Sequence, residues 1–212
     1  MKYDLHIHTH YSKCSNLKPK TILRLAKKRK LDGIAITDHH EIKGALEVKK
    51  LNKDKNFEVI IGGEIATNYG DVLVYYLKKK IDEIDFSKVV EEARKQDALI
   101  ILPHPFRRTM VNDHKFKLPL SKVKNRIDAV ECLNARMLFK SDNMKADKIA
   151  TKLNIAKTAG SDAHFSFEIG TAYTVFDGNL RTALKKKKTR LYGSTLVGPV
   201  GGLLSFIRKR IY

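Results

Sequence analysis

The stretch Tyr3-Asp4-Leu5-His6-Ile7-His8-Thr9-His10-Tyr11-Ser12 decides how the rest of the chain is read. As a strand, its side chains alternate between faces, which sets His6, His8 and His10 on one side and Leu5, Ile7 and Thr9 on the other. An apolar strand ending in paired imidazoles is what a metal site inside a barrel requires, because neutral imidazole is the commonest nitrogen ligand for Zn, Fe and Mn. A His-x-His pair standing alone is just as readily a satisfied polar strand end. The remaining strand ends therefore decide the matter.

Working outward, polar residues recur wherever an apolar strand stops. Gly33 to Thr37 reads as a buried strand finishing in Asp38-His39-His40, and Val59 to Gly63 ends at Glu64. Ala98 to Leu102 stops at Pro103-His104-Pro105, where two prolines fix the backbone on either side of the histidine. Ile155 to Ala159 runs into Gly160-Ser161-Asp162-Ala163-His164. Val72 to Leu77 is predicted to form a hairpin with its predecessor, from the turn residues Asn68, Gly70 and Asp71. Ala129 to Leu133 carries Glu131 inside it and Asn134 at its end, and Thr171 to Phe176 makes one more strand.

Helices are predicted between these strands: one from Pro19, a residue suited to a first turn, then 43–51, 87–96, 142–153 and 180–186. The polar stretch 107–125 shows no clear period. Leu196 to Ile207 is interrupted by Gly198, Pro199, Gly201 and Gly202 and reads as a packed tail.

Alternating strands and amphipathic helices point to parallel βα units in one domain, with no internal repeat or linker. No glycine-rich phosphate fingerprint follows the first strand, which disfavours a dinucleotide-binding open sheet. In an α/β barrel, functional side chains gather at the C-terminal ends of several strands. Here His6 and His8, Asp38 and His39, Glu64, His104, and Asp162 and His164 occupy five such ends. Burying so many ionisable groups is costly unless they share a counter-charge, and a polynuclear metal site supplies one. The first strand is then expected to end before His10.

Composition frames this reading. A chain of 212 residues, 42% of them hydrophobic, can bury one substantial core. The net charge of +19 attracts anions, and fits either a nucleic-acid or polyphosphate surface or a lysine-rich composition of the kind found in thermophiles. Cys14 and Cys132 cannot build a disulfide framework and suggest a reducing cytoplasm. No run approaches the roughly 20 apolar residues of a membrane helix, so a cytoplasmic protein without a membrane partner is expected.

The segments Asp4-Leu5-His6-Ile7-His8-Thr9, Ile36-Thr37-Asp38-His39, Gly63-Glu64, Pro103-His104-Pro105 and Gly160-Ser161-Asp162-Ala163-His164 together resemble the motifs and bridging glutamate of the polymerase and histidinol phosphatase (PHP) family. The resemblance spans residues 1 to about 176, with 177–212 expected to complete the same domain as a C-terminal helix and tail. It implies a distorted (β/α)7 TIM-like barrel, two or three divalent metals (Zn, Mn or Fe) and phosphoesterase activity. By the same resemblance His6, His8, Glu64 and Asp162 surround one metal, Glu64 and His104 a second, and His39 and His164 a third, with Glu64 bridging.

Two positions depart from the pattern. Where relatives place a ligand after the first His-x-His pair, this chain has Lys13-Cys14; Cys14 is either a thiolate ligand favouring Zn or a small buried residue. Where relatives end the fifth strand in histidine, this chain offers Glu131, Cys132 or Asn134, and Glu131 could ligate or orient a ligand. His10, His40 and His114 match no motif and are expected behind the ligands or in solvent.

The implied reaction is hydrolysis of a phosphomonoester or nucleotide by a metal-activated hydroxide, so the expected partner is a small phosphorylated substrate. Arg107, Arg108 and Arg136 follow strand ends where a phosphate must sit, and each is either a phosphate contact or a solvated loop charge. Asp38 or His164 could pass a proton to the leaving oxygen, with Glu64 between the metals. The alternatives are a nuclease acting on single-stranded ends, with the basic surface as its track, and a non-catalytic basic subunit binding RNA or protein. No aromatic stacking array along a basic groove is visible, so nucleic acid is not favoured.

Overall fold

Short apolar runs between amphipathic helices build a nearly closed wall. The computed structural model describes residues 1–108 and 115–211. The order is β1 (Lys2–Ile7), α1 (Pro19–Lys28), β2 (Gly33–Ile36), α2 (Lys43–Leu51), β3 (Glu58–Thr67), β4 (Gly70–Tyr75), α3 (Phe86–Lys95) and β5 (Leu99–Leu102). Then come α4 (Leu120–Val123), β6 (Ala129–Asn134), α5 (Lys140–Lys152), β7 (Ala156–Gly160), β8 (Ala172–Phe176), α6 (Leu180–Lys185), β9 (Thr189–Gly193) and α7 (Gly198–Ile211).

One sheet runs β7-β6-β5-β4-β3-β2-β1-β8-β9, so β1 to β7 form a seven-strand wall flanked by the antiparallel pair β8–β9. At the C-terminal end the wall closes directly: His8 N–H donates to Ala163 O at 2.9 Å and Ala163 N–H to His6 O at 3.2 Å. At the other end β8 pairs with β1 through its backbone and reaches β7 through Thr174, whose hydroxyl accepts from Ala159 N and donates to Ala159 O. The chain thus has a distorted TIM-like α/β barrel.

The predicted hairpin is present, and the sheet is mixed rather than built of parallel units alone. β4 runs antiparallel to both β3 and β5, and β8 and β9 are antiparallel to their neighbours. α3 and α6 bridge the β4–β5 and β8–β9 pairs, whereas the β3–β4 turn is too short for a parallel crossover. For the same reason β3 does not stop at Glu64 but continues to Thr67, paired with β4, which places Glu64 inside a strand.

Inside the wall, alternate residues pack together: Leu5, Ala35, Ile60, Leu73 and Tyr75, Leu99 and Ile101, Ala129 and Ala156. Helix α6 contributes Leu180, Ala183 and Leu184 to this cluster, beside Tyr3 and Phe176, and seals the end opposite the histidines. α1 and α2 cover one outer flank, α3 and α5 another. Strict alternation fails in β1. Leu5 belongs to the inner cluster while Ile7 packs outside under α1, because the β1–β2 register shifts between Asp4 and Ile7. Such an irregularity re-aims the following side chains, and here it leaves His6 and His8 inside.

The unreadable stretch 107–125 contains α4, behind Pro119, while His114 lies outside the described residues. The predicted tail forms a helix instead, α7, and β9 precedes it unannounced by any strong strand period. Among the described residues no helix is long and apolar enough to cross a membrane.

Candidate metal centre

The ends of four strands, β1, β2, β5 and β7, converge on Glu64 of β3. Its Oε2 lies 3.6 Å from His6 Nε2, 3.3 Å from His8 Nε2 and 3.1 Å from His39 Nδ1, while Oε1 lies 3.2 Å from His104 Nε2. Asp162 Oδ1 stands 3.7 Å from His6 Nε2 and 3.4 Å from His8 Nε2, and the two Nε2 atoms are 3.1 Å apart. A tetrahedral ion with bonds near 2.1 Å has donor–donor edges of about 3.4 Å. Five of the six edges among His6, His8, Glu64 and Asp162 therefore already have the length such an ion needs.

The hydrogen bonds behind these atoms free the right lone pairs. His6 Nδ1 donates to Glu131 Oε1 at 3.0 Å, which turns its Nε2 lone pair inward. The Ser12 hydroxyl donates to Asp38 Oδ1 at 2.6 Å and its oxygen lies 3.4 Å from His8 Nδ1, so His8 is held the same way through Ser12. A carboxylate behind a histidine is the usual way to fix the tautomer of a ligand. His104 Nε2 is buried with no hydrogen-bond partner although Glu64 is 3.2 Å away. A buried, unpartnered nitrogen aimed at a carboxylate fits a shared cation.

The backbone is forced to deliver two of these groups. His104 has φ of 29° between its prolines, and Asp162 has φ of 55°. Such conformations cost of order 1–3 kcal/mol in non-glycine residues, and persist where surroundings over-determine them. Ser161 supplies that constraint beside Asp162: its N–H and hydroxyl both donate to Asp4.

Charge within the cluster is divided. Burial lowers the His8 pKa to about 3, helped by charge on His39, and burial together with Arg136 holds His164 well below its ordinary range. For His6 burial acts downward but Glu131, Asp162 and Glu64 outweigh it, leaving it well above the ordinary value. His39 is raised to about 10 in the same way, against burial, by Glu64 and a hydrogen bond with Cys14. Burial would raise Glu64, yet His39 and His6 hold it well below the carboxylate range. Two cationic and two neutral imidazoles around buried carboxylates are a metal-free balance that a divalent ion would replace.

Not every expected residue faces the cluster. Asp38 is buried with both oxygens taken, Oδ1 by Thr9 N–H and Ser12 and Oδ2 by the Thr9 hydroxyl, so it clamps the loop after β1. Arg108 is turned outward, bonded to Asp142 and Ser141 and stacked on Phe139. Arg136 is buried; it pairs with Glu168 at 3.1 Å, donates to Ser205, and sets Nη1 2.6 Å from His164 Nδ1. Neither is placed as a phosphate contact. Arg107 faces the cluster instead: its side chain is 27% exposed and Nη1 reaches Asp162 Oδ2 at 3.4 Å.

Glu131 orients rather than stands alone, since it also accepts from His104 N–H and Asn134. Cys132 points away into the outer core, with its thiol on Val130 O. Cys14 is buried against His39 and belongs to no donor group among the described residues. His10 is exposed, and His40 accepts Ala66 N–H. Asp71 was missed by sequence reading because it looked like turn chemistry. Its carboxylate joins Glu64 and His104, and burial followed by repulsion from Glu64 raises its pKa.

The chain belongs to the PHP family: residues 4–129 match the PHP domain and residues 140–188 the PHP-associated region that follows it. Two uncharacterized proteins of Methanocaldococcus jannaschii are each 38% identical, one over 83% of this chain and 70% of its own length, the other over 64% and 82%. In fold the chain resembles a two-domain protein from Bacteroides vulgatus containing a predicted PHP-like metal-dependent phosphoesterase. The TM-score is 0.74 at 20% identity, over 92% of this chain and 65% of that one. PsfC from Pseudomonas syringae superposes with TM-score 0.68 at 19% identity, over 99% and 98% of the two chains.

Proposed function

We propose that this protein is a metal-dependent phosphoesterase hydrolysing a phosphomonoester or a nucleotide. The observation that supports it best is the position of Glu64, whose two oxygens face different donor sets: His6, His8 and His39 on one side, His104 on the other. One carboxylate between two sets of ligands is how two-cation hydrolytic centres are bridged. His6, His8, Glu64 and Asp162 would hold one ion, and Glu64, His104 and Asp71 the other. Bound there, divalent ions would supply Lewis acidity toward a phosphoryl oxygen and a nucleophilic water at neutral pH.

The chain's own residues do the rest. Glu131, and Asp38 through Ser12, keep the ligand imidazoles in the tautomer that presents Nε2. Arg107, on the rim, binds a phosphoryl oxygen and offsets charge that grows during transfer. His164 sits with His8 and His39 as a third donor group. Its Nδ1 lies between Arg136 Nη1 at 2.6 Å and Asp162 O at 2.8 Å, and burial beside that guanidinium keeps the ring neutral. We assign it as a neutral polar contact to the substrate rather than a proton shuttle. The mixed nitrogen and oxygen donors admit Zn, Mn or Fe.

Metal analysis of the purified chain, followed by hydrolysis of an aryl phosphate, nucleoside monophosphates and a labelled single-stranded oligonucleotide with each metal, tests the reading. Two ions per chain and turnover of the monoesters are expected. Absence of bound metal and of turnover with every metal would refute it.

A further inference from the structure

Helix α7 is mounted with its polarity reversed. The face against the barrel carries Gly198, Gly201 and Ser205, all buried, whereas the outer face carries Val200, Leu203, Leu204 and Ile207, exposed by 56, 60, 39 and 45%. Those four fall at i, i+3, i+4 and i+7, the spacing of a single apolar stripe. Leu196, 78% exposed, extends it by one turn.

The mounting is specified by the sequence. A Cβ at Gly198 would strike Ala135 O and Arg136, and one at Gly201 would strike Glu168, while Gly202 faces open space. The Ser205 hydroxyl then bonds both Arg136 and Cys14 O. Only glycine allows this close approach, so the small face is the docked face and the apolar stripe is left to another partner.

Charge indicates which. α7 contains no acidic residue and ends in Arg208-Lys209-Arg210, with Arg210 exposed. Lys13, next to the Cys14 carbonyl that holds Ser205, is also exposed, and the chain carries +19 overall. A second copy would set this basic surface against itself. An anionic bilayer matches both halves of the pattern, since apolar side chains enter the acyl boundary while nearby Lys and Arg are drawn to the anionic headgroups. We propose that α7 is an interfacial helix that lays its Val200-Leu203-Leu204-Ile207 stripe on an anionic phospholipid surface. The expectation of no membrane partner rested on the lack of a spanning run, which an in-plane helix does not need. Through Arg136 the helix shares the rim of the metal centre, so docking sets that rim beside the bilayer.

The test is co-sedimentation of the chain with vesicles of phosphatidylcholine alone or mixed equally with phosphatidylglycerol. Binding to the mixed vesicles is expected to exceed binding to the neutral ones by about tenfold or more and to fall as salt rises. Leu203→Ser with Ile207→Ser alters exposed positions only; it should keep the circular dichroism spectrum and lose vesicle binding by about tenfold or more. Lack of binding to the mixed vesicles, equal binding to both kinds, or unchanged binding by the double variant would overturn the proposal. So would a dimer, seen by light scattering, that the double variant dissolves while vesicles bind neither form. Phosphatase activity is read separately on a soluble aryl phosphate, so its failure would count against the proposed reaction and leave this result standing.

Discussion

Nε2 of His104 stands 3.2 Å from Oε1 of Glu64 without a hydrogen bond between them. Both atoms are buried, and a cation shared between them would satisfy the nitrogen as well as the carboxylate. His104→Ala should therefore lower bound metal by one ion per chain, while Glu64→Gln, which weakens both donor sets, should lower it further and abolish turnover. Elemental analysis beside aryl phosphate kinetics checks this. Retention of two ions by the Glu64 variant would show that the carboxylate does not bridge.

Behind the ligands, Glu131 receives His6 Nδ1, His104 N–H and Asn134 Nδ2. Glu131→Gln keeps the volume but weakens the grip on the His6 tautomer. Loss of such an orienting carboxylate typically costs 10–100-fold in metal affinity, and about that loss is expected here in competition against a chromogenic chelator. An unchanged affinity would instead make Glu131 a packing residue.

Metal binding should release protons. Against their burial, the surrounding carboxylates keep His6 well above the ordinary range and His39 at about 10, so both are charged near pH 7 in the metal-free chain. His6 must deprotonate to ligate, and a dication on Glu64 repels the charge on His39, whose Nδ1 lies 3.1 Å from that carboxylate. Calorimetry in buffers of different ionisation enthalpy should show release approaching two protons per chain loaded, and affinity rising with pH above 6. The same shifts bear on stability. A raised folded-state pKa gives stability that is full below the unfolded value of 6.5 and is lost as pH climbs through the folded one, near 10 for His39. The chelated chain should therefore lose stability over that window, and the metal-loaded chain should be spared this loss.

The buried pair of Arg136 and Glu168 holds the rim together, since Glu168 also accepts His164 and Phe165 N–H and Arg136 reaches Ser205 of α7. Removing one partner strands a buried charge. Glu168→Gln should cost about 3–5 kcal/mol in urea unfolding. A loss under about 1 kcal/mol would mean the pair is solvated in solution.

Sequence reading reached the strand ends and the clustered donors because both follow from local pattern: apolar runs mark the strands, and polar residues where they stop are hard to explain otherwise. It did not reach what depends on register or on distant partners. Nothing local in β1 announces the irregularity that sends Leu5 inward and Ile7 outward. Asp71 resembles any turn aspartate until the hairpin carries it to Glu64, and Arg136 resembles any loop arginine until Glu168 and Ser205 enclose it. α7 was hidden for a different reason. Its glycines break the helical period, yet they are the residues that let it approach the barrel.

Gly160 offers the sharpest test of how closely the wall serves the centre. It lies at the end of β7, and a Cβ there would press on the His6 side chain and come within 2.9 Å of Glu131 Oε1. Both are interior groups with no free space to yield into, and they are the two halves of the bond that orients the first ligand. Gly160→Ala adds one methyl group, leaves every donor atom in place and changes no charge. Overpacking of this kind costs about 1–3 kcal/mol. If the His6–Glu131 bond matters only for folding, the variant should lose that stability and bind metal as before. If it presents Nε2 to the cation, metal affinity should fall by about the same factor as in Glu131→Gln, and combining the two substitutions should add little further loss, because they break one interaction. A fully additive double variant would separate the two effects and remove the orienting role assigned to Glu131.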